Sequence, residues 1–277
     1  MSNTEMIRYW NDDAGPEWTR HQDRIDESLR PFGEGAMDAL DLRPGQAVLD
    51  VGCGCGTTTL TLADRVGLDG RVAGVDVSAP MLALARRRAV GRANVEFHEA
   101  DAQTAALPLV ADRLFSRFGI MFFADPPTAF GNLGRAVVPG GRLAFVCWQA
   151  PSRNPWISVI AAAAASAVPD MPPPPPLDSP GPFAFSSVDR VRGILTEAGW
   201  ADVAIEGYEA SQRLGSSLDD ALAHIGHLGA LRRVLAAAGA SRVDAVYDSV
   251  REALVPYVGS DGVVADAAAW IVTATRP

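Results

Sequence analysis

Residues 48–56 read VLDVGCGCG, and this stretch decides the fold more than any other part of the chain. Its first four residues are mainly apolar and β-prone, which is typical of a buried parallel strand. Three glycines alternate with small side chains after it, and a helix-compatible run begins at Thr57. A strand, a glycine turn and a helix let the backbone approach a ligand closely and present free N–H groups to it. The stretch therefore predicts a site for a nucleotide-like ligand.

Outward from this turn, strands and helices alternate along the chain. Strands are predicted at 47–51, 71–76, 94–99, 112–117 and 142–148, with helices between them at 57–67, 79–90 and 127–138. The sequence Pro-Gly-Gly at 139–141 predicts a turn before the last of these strands. Such alternation is typical of an α/β fold with an open, doubly wound, mostly parallel sheet.

The alternation stops after residue 150, where an Ala-rich helical run and five consecutive prolines at 172–176 follow. The proline run predicts a stiff polyproline II spacer. The predicted organisation is an N-terminal helical lid at 1–40, a ligand-binding core at 41–150, a cap insertion with the proline-rich connector at 151–185, the remainder of the core sheet at 186–215 and 262–277, and a helical cap at 216–261. The run 267–275 is predicted to be the last strand of the sheet.

Composition restricts the class of protein. The 277 residues carry a net charge of −9, and all 24 basic residues are arginine, which excludes a lysine Schiff base. No basic face is visible, so no nucleic-acid partner is expected. Three cysteines favour a reducing cytoplasm, and no segment is long enough or apolar enough for a leader or a membrane span. The Ala/Arg-rich, Lys-free composition suggests a GC-rich bacterial genome.

Three carboxylates stand at the ends of three successive predicted strands: Asp50, Asp76 and Asp101. Asp76 lies 20 residues beyond Gly56, a position suited to accepting both ribose hydroxyl protons. Asp101 is placed to accept a hydrogen bond from an adenine amino group. Two ligands fit, NAD and S-adenosylmethionine (SAM). The dinucleotide pattern needs a third glycine where this chain has Thr57, which disfavours NAD.

With these motifs the chain resembles the class I SAM-dependent methyltransferases. The matching motifs are DVGCGCG at 50–56, VDVSAPM at 75–81, EADA at 99–102, DRLFSRFG at 112–119 and RAVVPGG at 135–141. The resemblance covers about residues 45–148, and 181–200 is also similar to small-molecule members. It implies SAM as the cofactor and a seven-stranded sheet whose last strand is antiparallel.

The resemblance also implies roles for individual residues. The residues implied to bind the cofactor are Asp50, Gly52, Gly54, Gly56, Asp76, Val77, Met81, Asp101, Ala102 and Phe118, with Tyr9 and Trp18 in an aromatic lid that also includes Trp10. Arg117 is implied to flank the sulfonium and the acceptor. Ordinary core packing remains the alternative for the aromatic residues of the lid.

The histidines are the candidates for a general base. Methyl transfer from a sulfonium needs a general base only when the nucleophile must lose a proton. His224 and His227 are three residues apart and share one helix face if 216–235 is helical, so they are the leading candidates. His21 and His98 are weaker ones. Cys53 and Cys55 are expected to permit the tight turn, and no metal site is predicted.

The predicted function is methyl transfer to a small, apolar or aromatic metabolite, with secondary metabolism as the expected setting. Aromatic residues predicted to line an acceptor pocket are Trp148, Trp156, Phe183 and Phe185. Two alternatives stay open: a SAM-binding enzyme of this fold with another reaction, such as a cyclisation, and a SAM-binding regulatory module. A homodimer is compatible with the sequence.

Overall fold

The computed structural model describes residues 2–168, 171, 173–226 and 229–277. Its strands are β1 (Ala47–Val51), β2 (Arg71–Asp76), β3 (Val95–Glu99), β4 (Ala111–Arg117), β5 (Val137–Trp148), β6 (Ala201–Gly215), β7 (Val258–Gly259) and β8 (Gly262–Thr275). Its α-helices are α1 (Asn3–Arg8), α2 (Ala14–Arg20), α3 (Gln22–Ala39), α4 (Thr57–Val66), α5 (Ala79–Arg88), α6 (Pro126–Arg135), α7 (Pro155–Ser166), α8 (Val188–Glu197), α9 (Leu218–Ile225), α10 (Gly229–Ala238) and α11 (Val243–Leu254). A π-helical turn at Tyr9–Asp13 joins α1 to α2.

The strands form one mixed sheet in the order β3-β2-β1-β4-β5-β8-β6, with the two-residue β7 paired to β8. The pairs from β3 to β5 are parallel, whereas β8 runs antiparallel to β5. The predicted doubly wound, mostly parallel sheet is confirmed. In such sheets ligands bind outside the carboxyl ends of the strands, beside the point where the strand order reverses, which here is between β1 and β4.

The chain divides into two compact units. The first contains residues up to Gln149, Leu177–Tyr208 and Ala269–Pro277, and the second contains Ala150–Pro176 and Glu209–Ala268. The second unit has its own hydrophobic core, built from α7, α9, α10, α11 and the adjoining parts of β6 and β8. The finer division into lid, core and cap remains a prediction.

The Pro-Gly-Gly sequence at 139–141 was predicted to be a turn but lies inside β5. Helix α6 ends at Arg135, three residues earlier than predicted, and β5 begins at Val137. Pairing between β4 and β5 shifts register between Ala111 and Arg113, and Gly140 has a φ of 74°. A bulge with a left-handed glycine absorbs the turn-forming residues without ending the strand.

The proline run falls partly outside the described residues, because Pro172 is not among them. Residues 173–176 have no regular secondary structure and are exposed. In the described part of the chain, no helix combines the length and the apolar character that a membrane span requires.

Candidate active site

The turn after β1 requires its glycines. Gly52, Gly54 and Gly56 have φ values of 68°, 54° and 84°, all in the left-handed region that other residues rarely adopt. A Cβ on Gly52 would lie 2.7 Å from the Cα of Gly119, and a Cβ on Gly54 would lie 2.7 Å from Met81 Cε. The turn therefore packs directly against the segments that follow β2 and β4, and it leaves no room for side chains.

Asp76 at the end of β2 is tied to this turn. Its Oδ2 accepts a hydrogen bond from Gly54 N–H at 2.8 Å, and its Oδ1 accepts one from Ser78 N–H at 2.9 Å. Burial raises the pKa of the Asp76 carboxyl, while these two bonds oppose the rise. Each carboxylate oxygen can accept more than one bond, so both retain capacity for a ligand hydroxyl.

Asp50 differs from Asp76 in its position along the strand, its burial and its hydrogen-bond partners. It pairs with Gly74 across β1 and β2, two residues before Asp76, so the three strand-end carboxylates are not level. Its side chain is fully buried, and Oδ2 accepts from the hydroxyls of Thr58 at 2.7 Å and Thr59 at 2.6 Å. Burial raises its pKa to about 6, against the lowering effect of the two hydroxyls. In this structure Asp50 anchors the first turn of α4.

Asp101 follows β3 by two residues and is already engaged. Its Oδ2 accepts from Asn3 Nδ2 at 2.7 Å and from Thr104 Oγ1 at 2.8 Å, and its Oδ1 accepts from Gln103 N–H at 3.0 Å. The next residue, Ala102, is buried. The carboxylate expected to meet an adenine amino group thus holds the amide of the N-terminal helix.

The N-terminal segment is also fixed to the loop after β2. Asn11 bridges this loop, because its Nδ2 donates to the carbonyl of Val77 at 2.8 Å and its Oδ1 accepts from Ala79 N–H at 3.0 Å. Ser78 Oγ donates to the carbonyl of Trp10 at 2.8 Å. Residues predicted to form a lid therefore contact the loop that carries the predicted ribose and adenine contacts.

The aromatic residues of the N-terminal segment cluster around Trp10. Its ring meets Tyr9, Trp18 and Phe122 edge-on, with centroids 5.5, 5.8 and 5.0 Å away. Edge-to-face contacts of this kind add to the energy of burial. Trp10, rather than Tyr9 or Trp18, is the centre of this aromatic cluster.

Arg117 and Phe118 follow each other at the end of β4 but face different partners. Arg117 Nη2 donates to Asp26 Oδ1 on α3 at 2.6 Å, and both side chains are only 11% exposed. Phe118 has a φ of 60°, unusual for a bulky residue. Its ring stacks on Trp148 at the end of β5, with centroids 4.1 Å apart.

A polar group of side chains lies between α3 and the glycine turn, and we name it the α3 cluster. Its members are Gln22, Asp26, Thr57, Arg88 and Arg117. Asp26 Oδ2 accepts from both Gln22 Nε2 and Thr57 Oγ1. Arg88 Nη1 donates to the Cys55 carbonyl at 2.8 Å and to Thr57 Oγ1 at 2.7 Å. The α3 cluster therefore connects the helix before the sheet with the turn itself.

The predicted bases lie on different elements of the structure, and His21 lines a cavity together with Gln22 and Arg88. His224 is buried on α9, in the second unit, and His227 lies outside the described residues. His98 Nε2 lies 3.2 Å from Glu96 Oε2 on β3, and His21 Nε2 lies 3.8 Å from Glu17 Oε2.

The cysteines of the turn lack the features of reactive thiols. Cys53 and Cys55 are buried, and burial raises the pKa of Cys55 to about 12 and that of Cys53 well above its usual range. Thiols with raised pKa values are poor nucleophiles at neutral pH. Within the described ranges, His, Cys, Asp and Glu side chains form no group of three that would suit a metal ion.

Trp148, Trp156, Phe183 and Phe185 were predicted to line an acceptor pocket. Of these, Trp148 stacks on Phe118, which is itself a predicted site residue. Phe185 is fully buried and packs on Phe130 and Phe145 in the core. Trp156 belongs to the second unit, where its Nε1 donates to Asn154 Oδ1 at 3.0 Å.

Sequence reasoning missed Asn3, Asn11, Gln22, Asp26 and Arg88. One signal was available for two of them, because Gln22 and Asp26 occupy positions on α3 whose neighbours at helical spacing are buried and apolar. Polar side chains on the buried face of a helix require partners, and so point to a site. Asn3 and Asn11 have no comparable signal in the sequence.

The strand order, the glycine turn and the carboxylate after β2 together define a class I SAM-dependent methyltransferase fold. Residues 48–141 match the family described as "Methyltransferase domain". For this part of the chain, the match supports the predicted resemblance to the class I SAM-dependent methyltransferases, whose cofactor is SAM.

Individual relatives agree on the class but differ in length. The chain is 35% identical over 139 residues to a 2-phytyl-1,4-naphtoquinone methyltransferase of Thermosynechococcus vestitus, and this match covers 48% of the chain and 61% of the relative. It is 34% identical over 140 residues to phosphoethanolamine N-methyltransferase 3 of Arabidopsis thaliana, and this match covers 46% of the chain and 28% of the relative. The match thus spans less than two thirds of these curated relatives.

Solved structures share the fold at lower identity. A phosphoethanolamine N-methyltransferase 2 of Haemonchus contortus, solved with S-adenosylhomocysteine, superposes with a TM-score of 0.55 at 20% identity, over 89% of this chain and 52% of that chain. The cyclase SpnF superposes with a TM-score of 0.51 at 19% identity, over 89% and 80%. The fold therefore includes both methyltransferases and at least one cyclase.

Proposed function

We propose that this protein transfers the methyl group of SAM to a small, apolar or aromatic metabolite by in-line displacement. The stack of Phe118 on Trp148 carries this proposal, because it puts a pair of largely buried aromatic rings at the carboxyl ends of β4 and β5. Gly119, the residue after Phe118, lies against Gly52 of the glycine turn. The aromatic pair is thus adjacent to the turn that is expected to pass under the donor.

The residues present fit the donor. The glycine turn keeps a backbone without side chains at the carboxyl end of β1, since a Cβ at Gly52, Gly54 or Gly56 would collide with Gly119, Met81 or Phe97. In the proposal, both oxygens of Asp76 accept from the ribose hydroxyls, Val77 and Met81 contact the adenine, and Asp101 and Ala102 meet its edge. Asp50 is part of the proposed donor site and also supports the turn through its bonds to α4.

The aromatic pair belongs to a larger cluster in which Phe32, Phe118 and Trp148 are buried. Phe32 meets Phe118, Trp148 and Tyr208 edge-on, with centroids 5.9, 5.0 and 5.8 Å away. An aromatic cluster beside the donor site favours an apolar or aromatic acceptor. The name of the Thermosynechococcus relative, a naphthoquinone methyltransferase, supports the same class of acceptor.

SAM supplies a methyl group that its sulfonium already activates. The protein's contribution is then to hold the acceptor in line with that methyl at about 3–3.5 Å, which by itself supplies much of the rate. Arg117 stays neutralised by Asp26, so it orients neighbouring groups without repelling the sulfonium charge. Where the acceptor must lose a proton, His224 and His227 are the proposed bases.

A second candidate function is a cyclisation or another reaction that uses the same fold without methyl transfer. The fold that this chain shares with the cyclase SpnF supports this second candidate. A SAM-binding regulatory module is a third possibility. A cytoplasmic location, a homodimer and the absence of nucleic-acid partners are further parts of the proposal that come from the sequence.

The experiment is an incubation of the protein with SAM and a panel of phenols and quinols, read by mass spectrometry. Methyl transfer yields S-adenosylhomocysteine and a methylated acceptor in equal amounts. A product isomeric with its substrate and no S-adenosylhomocysteine indicates cyclisation. Stabilisation by NAD but not by SAM in thermal unfolding would contradict the proposal.

A further inference from the structure

Two arginines lie side by side on neighbouring strands, far from the glycine turn in the sequence. Arg113 of β4 pairs in register with Arg142 of β5, and these two strands are parallel. Side chains at paired positions of adjacent strands leave the same face of the sheet, and like charges placed in this way are destabilising. Arg113 is near the amino end of β4, whereas the candidate active site is at the carboxyl end. The pair therefore calls for a negative charge at the other end of the strand.

The structure itself explains the position of Arg113. Its Nε donates to the carbonyl of Leu40 at 3.2 Å, and its Nη2 donates to that of Asp41 at 3.4 Å. These carbonyls are at the C-terminal end of α3, where a cation is favoured by both hydrogen bonding and the helix dipole. Its Nη1 donates to the carbonyl of Asp112 at 3.0 Å. Arg113 thus has a structural role that needs no ligand.

Arg142 has no such role. Its Nε is buried without a hydrogen-bond partner, and its guanidinium forms no hydrogen bond or ion pair with any residue that the structure describes. A buried donor that lacks an acceptor costs stability, and a charged donor costs more than a neutral one. An acceptor from outside the chain accounts for an arginine kept in this state.

The charges around the pair do not balance. Burial lowers the pKa of the Arg113 guanidinium. The nearby carboxylates of Asp41 and Asp112 oppose this fall, and the nearby guanidinium groups of Arg43 and Arg142 add to it. Asp41 Oδ2 already accepts from Arg43 Nη2 at 3.4 Å, and the carboxylate of Asp112 accepts from a backbone N–H at 2.8 Å. Three guanidinium groups beside two carboxylates leave one positive charge uncompensated.

We propose that Arg113 and Arg142 form a binding site for a phosphate-type oxyanion, with the exposed Arg43 at its rim. A tetrahedral oxyanion can accept from two guanidinium groups at once, and the planar guanidinium fork matches its oxygens. The anion accepts from Arg142 and reduces the repulsion between Arg142 and Arg113. Because Arg113 also binds the end of α3, the bound anion links this helix to β4 and β5. The site is independent of the methyl-transfer reaction.

The test measures how inorganic phosphate affects the full-length chain. Wild type, Arg142→Gln, Arg142→Lys and Arg87→Gln are unfolded thermally in chloride and in phosphate at equal pH and ionic strength. Calorimetry then gives the Kd of phosphate for each variant. Arg87 is an exposed arginine on α5 and controls for the loss of one positive charge. Phosphate also stabilises proteins through exclusion from their surface, so the site-specific part is the difference between wild type and Arg142→Gln.

The wild type is expected to gain stability in phosphate with the saturating dependence of one-site binding. Arg142→Gln weakens phosphate binding at least about tenfold, as the loss of a charged hydrogen-bond donor does, and keeps only the non-specific gain. Arg142→Lys recovers part of the affinity, and Arg87→Gln behaves as the wild type does. An equal response of wild type and Arg142→Gln, or a wild type without saturable binding, overturns the inference.

A second ligand distinguishes the two sources of such an anion. Glycerol 3-phosphate carries the same oxyanion on an organic group, and its Kd for the wild type is measured beside that of inorganic phosphate. Tighter binding of the ester identifies a phosphorylated metabolite as the occupant, and equal or weaker binding identifies free phosphate. Arg142→Gln should weaken both ligands by the same factor, since both present their oxyanion to the same guanidinium. A loss confined to one ligand contradicts a shared oxyanion site.

Discussion

Asn3 and Asp101 are 98 residues apart in the chain, yet Asn3 Nδ2 donates to Asp101 Oδ2 at 2.7 Å. The same oxygen accepts from Thr104 Oγ1 at 2.8 Å, so its two favourable acceptor directions are filled. In the proposed complex an adenine amino group donates to this carboxylate. Under that proposal, the amide of Asn3 and the adenine amino group compete for the same carboxylate.

Asn3→Ala is expected to strengthen the binding of S-adenosylhomocysteine about fivefold. The adenine amino group then no longer has to displace a hydrogen bond worth about 1 kcal/mol. Calorimetry measures the change, and Thr4→Ala, an exposed neighbour on the same helix, is the control. Weaker binding in Asn3→Ala would show that Asn3 orders Asp101 for the ligand instead of competing with it.

Gly52→Ala is expected to destabilise the fold by about 2 kcal/mol or more and to abolish donor binding. The backbone at φ 68° is strained for alanine, and the new Cβ would lie 2.7 Å from the backbone of Gly119. Urea unfolding measures the free energy. Gly131→Ala is the matched control, because that helical glycine has no atom within 4 Å of its Cβ position and alanine favours helix. Equal stability of both variants would contradict the close approach of the turn to Gly119.

Asp50→Asn is expected to change how stability depends on pH. The folded-state pKa of Asp50, about 6, lies above the ordinary value of 3.8, so folding favours its protonated form. Its contribution is therefore fully present below about pH 4 and is lost as the pH rises through 6. The free energy of unfolding of Asp50→Asn relative to the wild type should increase by about 2 kcal/mol between pH 4 and pH 7.

The Asp50 measurement is a series of urea unfolding curves across that pH range. Asn can keep both threonine hydroxyl bonds through its carbonyl oxygen. Any loss of stability that does not depend on protonation is therefore the same at every pH, and it leaves the pH dependence of the free energy of unfolding unchanged. Asp69→Asn, at an exposed position, is the control and should follow the wild type. A pH-independent difference for Asp50→Asn would refute the raised pKa.

Double substitution of His224 and His227 by Ala is expected to lower kcat about 100-fold and to leave the Kd for SAM unchanged. General-base catalysis contributes at least that factor when the nucleophile must lose a proton. The pH–rate profile of the wild type should show an acidic limb that the variant lacks. His98→Ala, at the edge strand β3, should behave as the wild type does. Full activity of the double variant removes both residues from the mechanism.

The core of the fold could be predicted from sequence because its signals are local. The apolar run before Gly52, the glycine spacing and the strand–helix alternation each constrain the backbone without reference to distant residues. The turn predicted at 139–141 was wrong, because these residues lie inside β5. Proline and glycine permit a bulge as well as a turn, and only pairing with β4 selects between them.

The site was predictable only in part, for a similar reason. Asp76 stands at a fixed distance from the glycine turn, whereas the hydrogen bonds of Asn3, Asn11 and Asp26 join segments far apart in sequence. The bonds from Asp50 to two threonine hydroxyls on α4 were also missed, while its contact with the donor stays a prediction. Contacts of this kind depend on tertiary packing that no local pattern encodes.

The most direct test of the account is the calorimetric Kd of SAM for Asp76→Ala beside the wild type. Two hydrogen bonds to a charged acceptor predict weakening of about 100-fold or more. Glu99→Ala is the control, because Glu99 is exposed at the end of β3 and pairs with Asp76 across the sheet. Weakening confined to Asp76→Ala supports the ribose contact, and a Kd unchanged within error would contradict it.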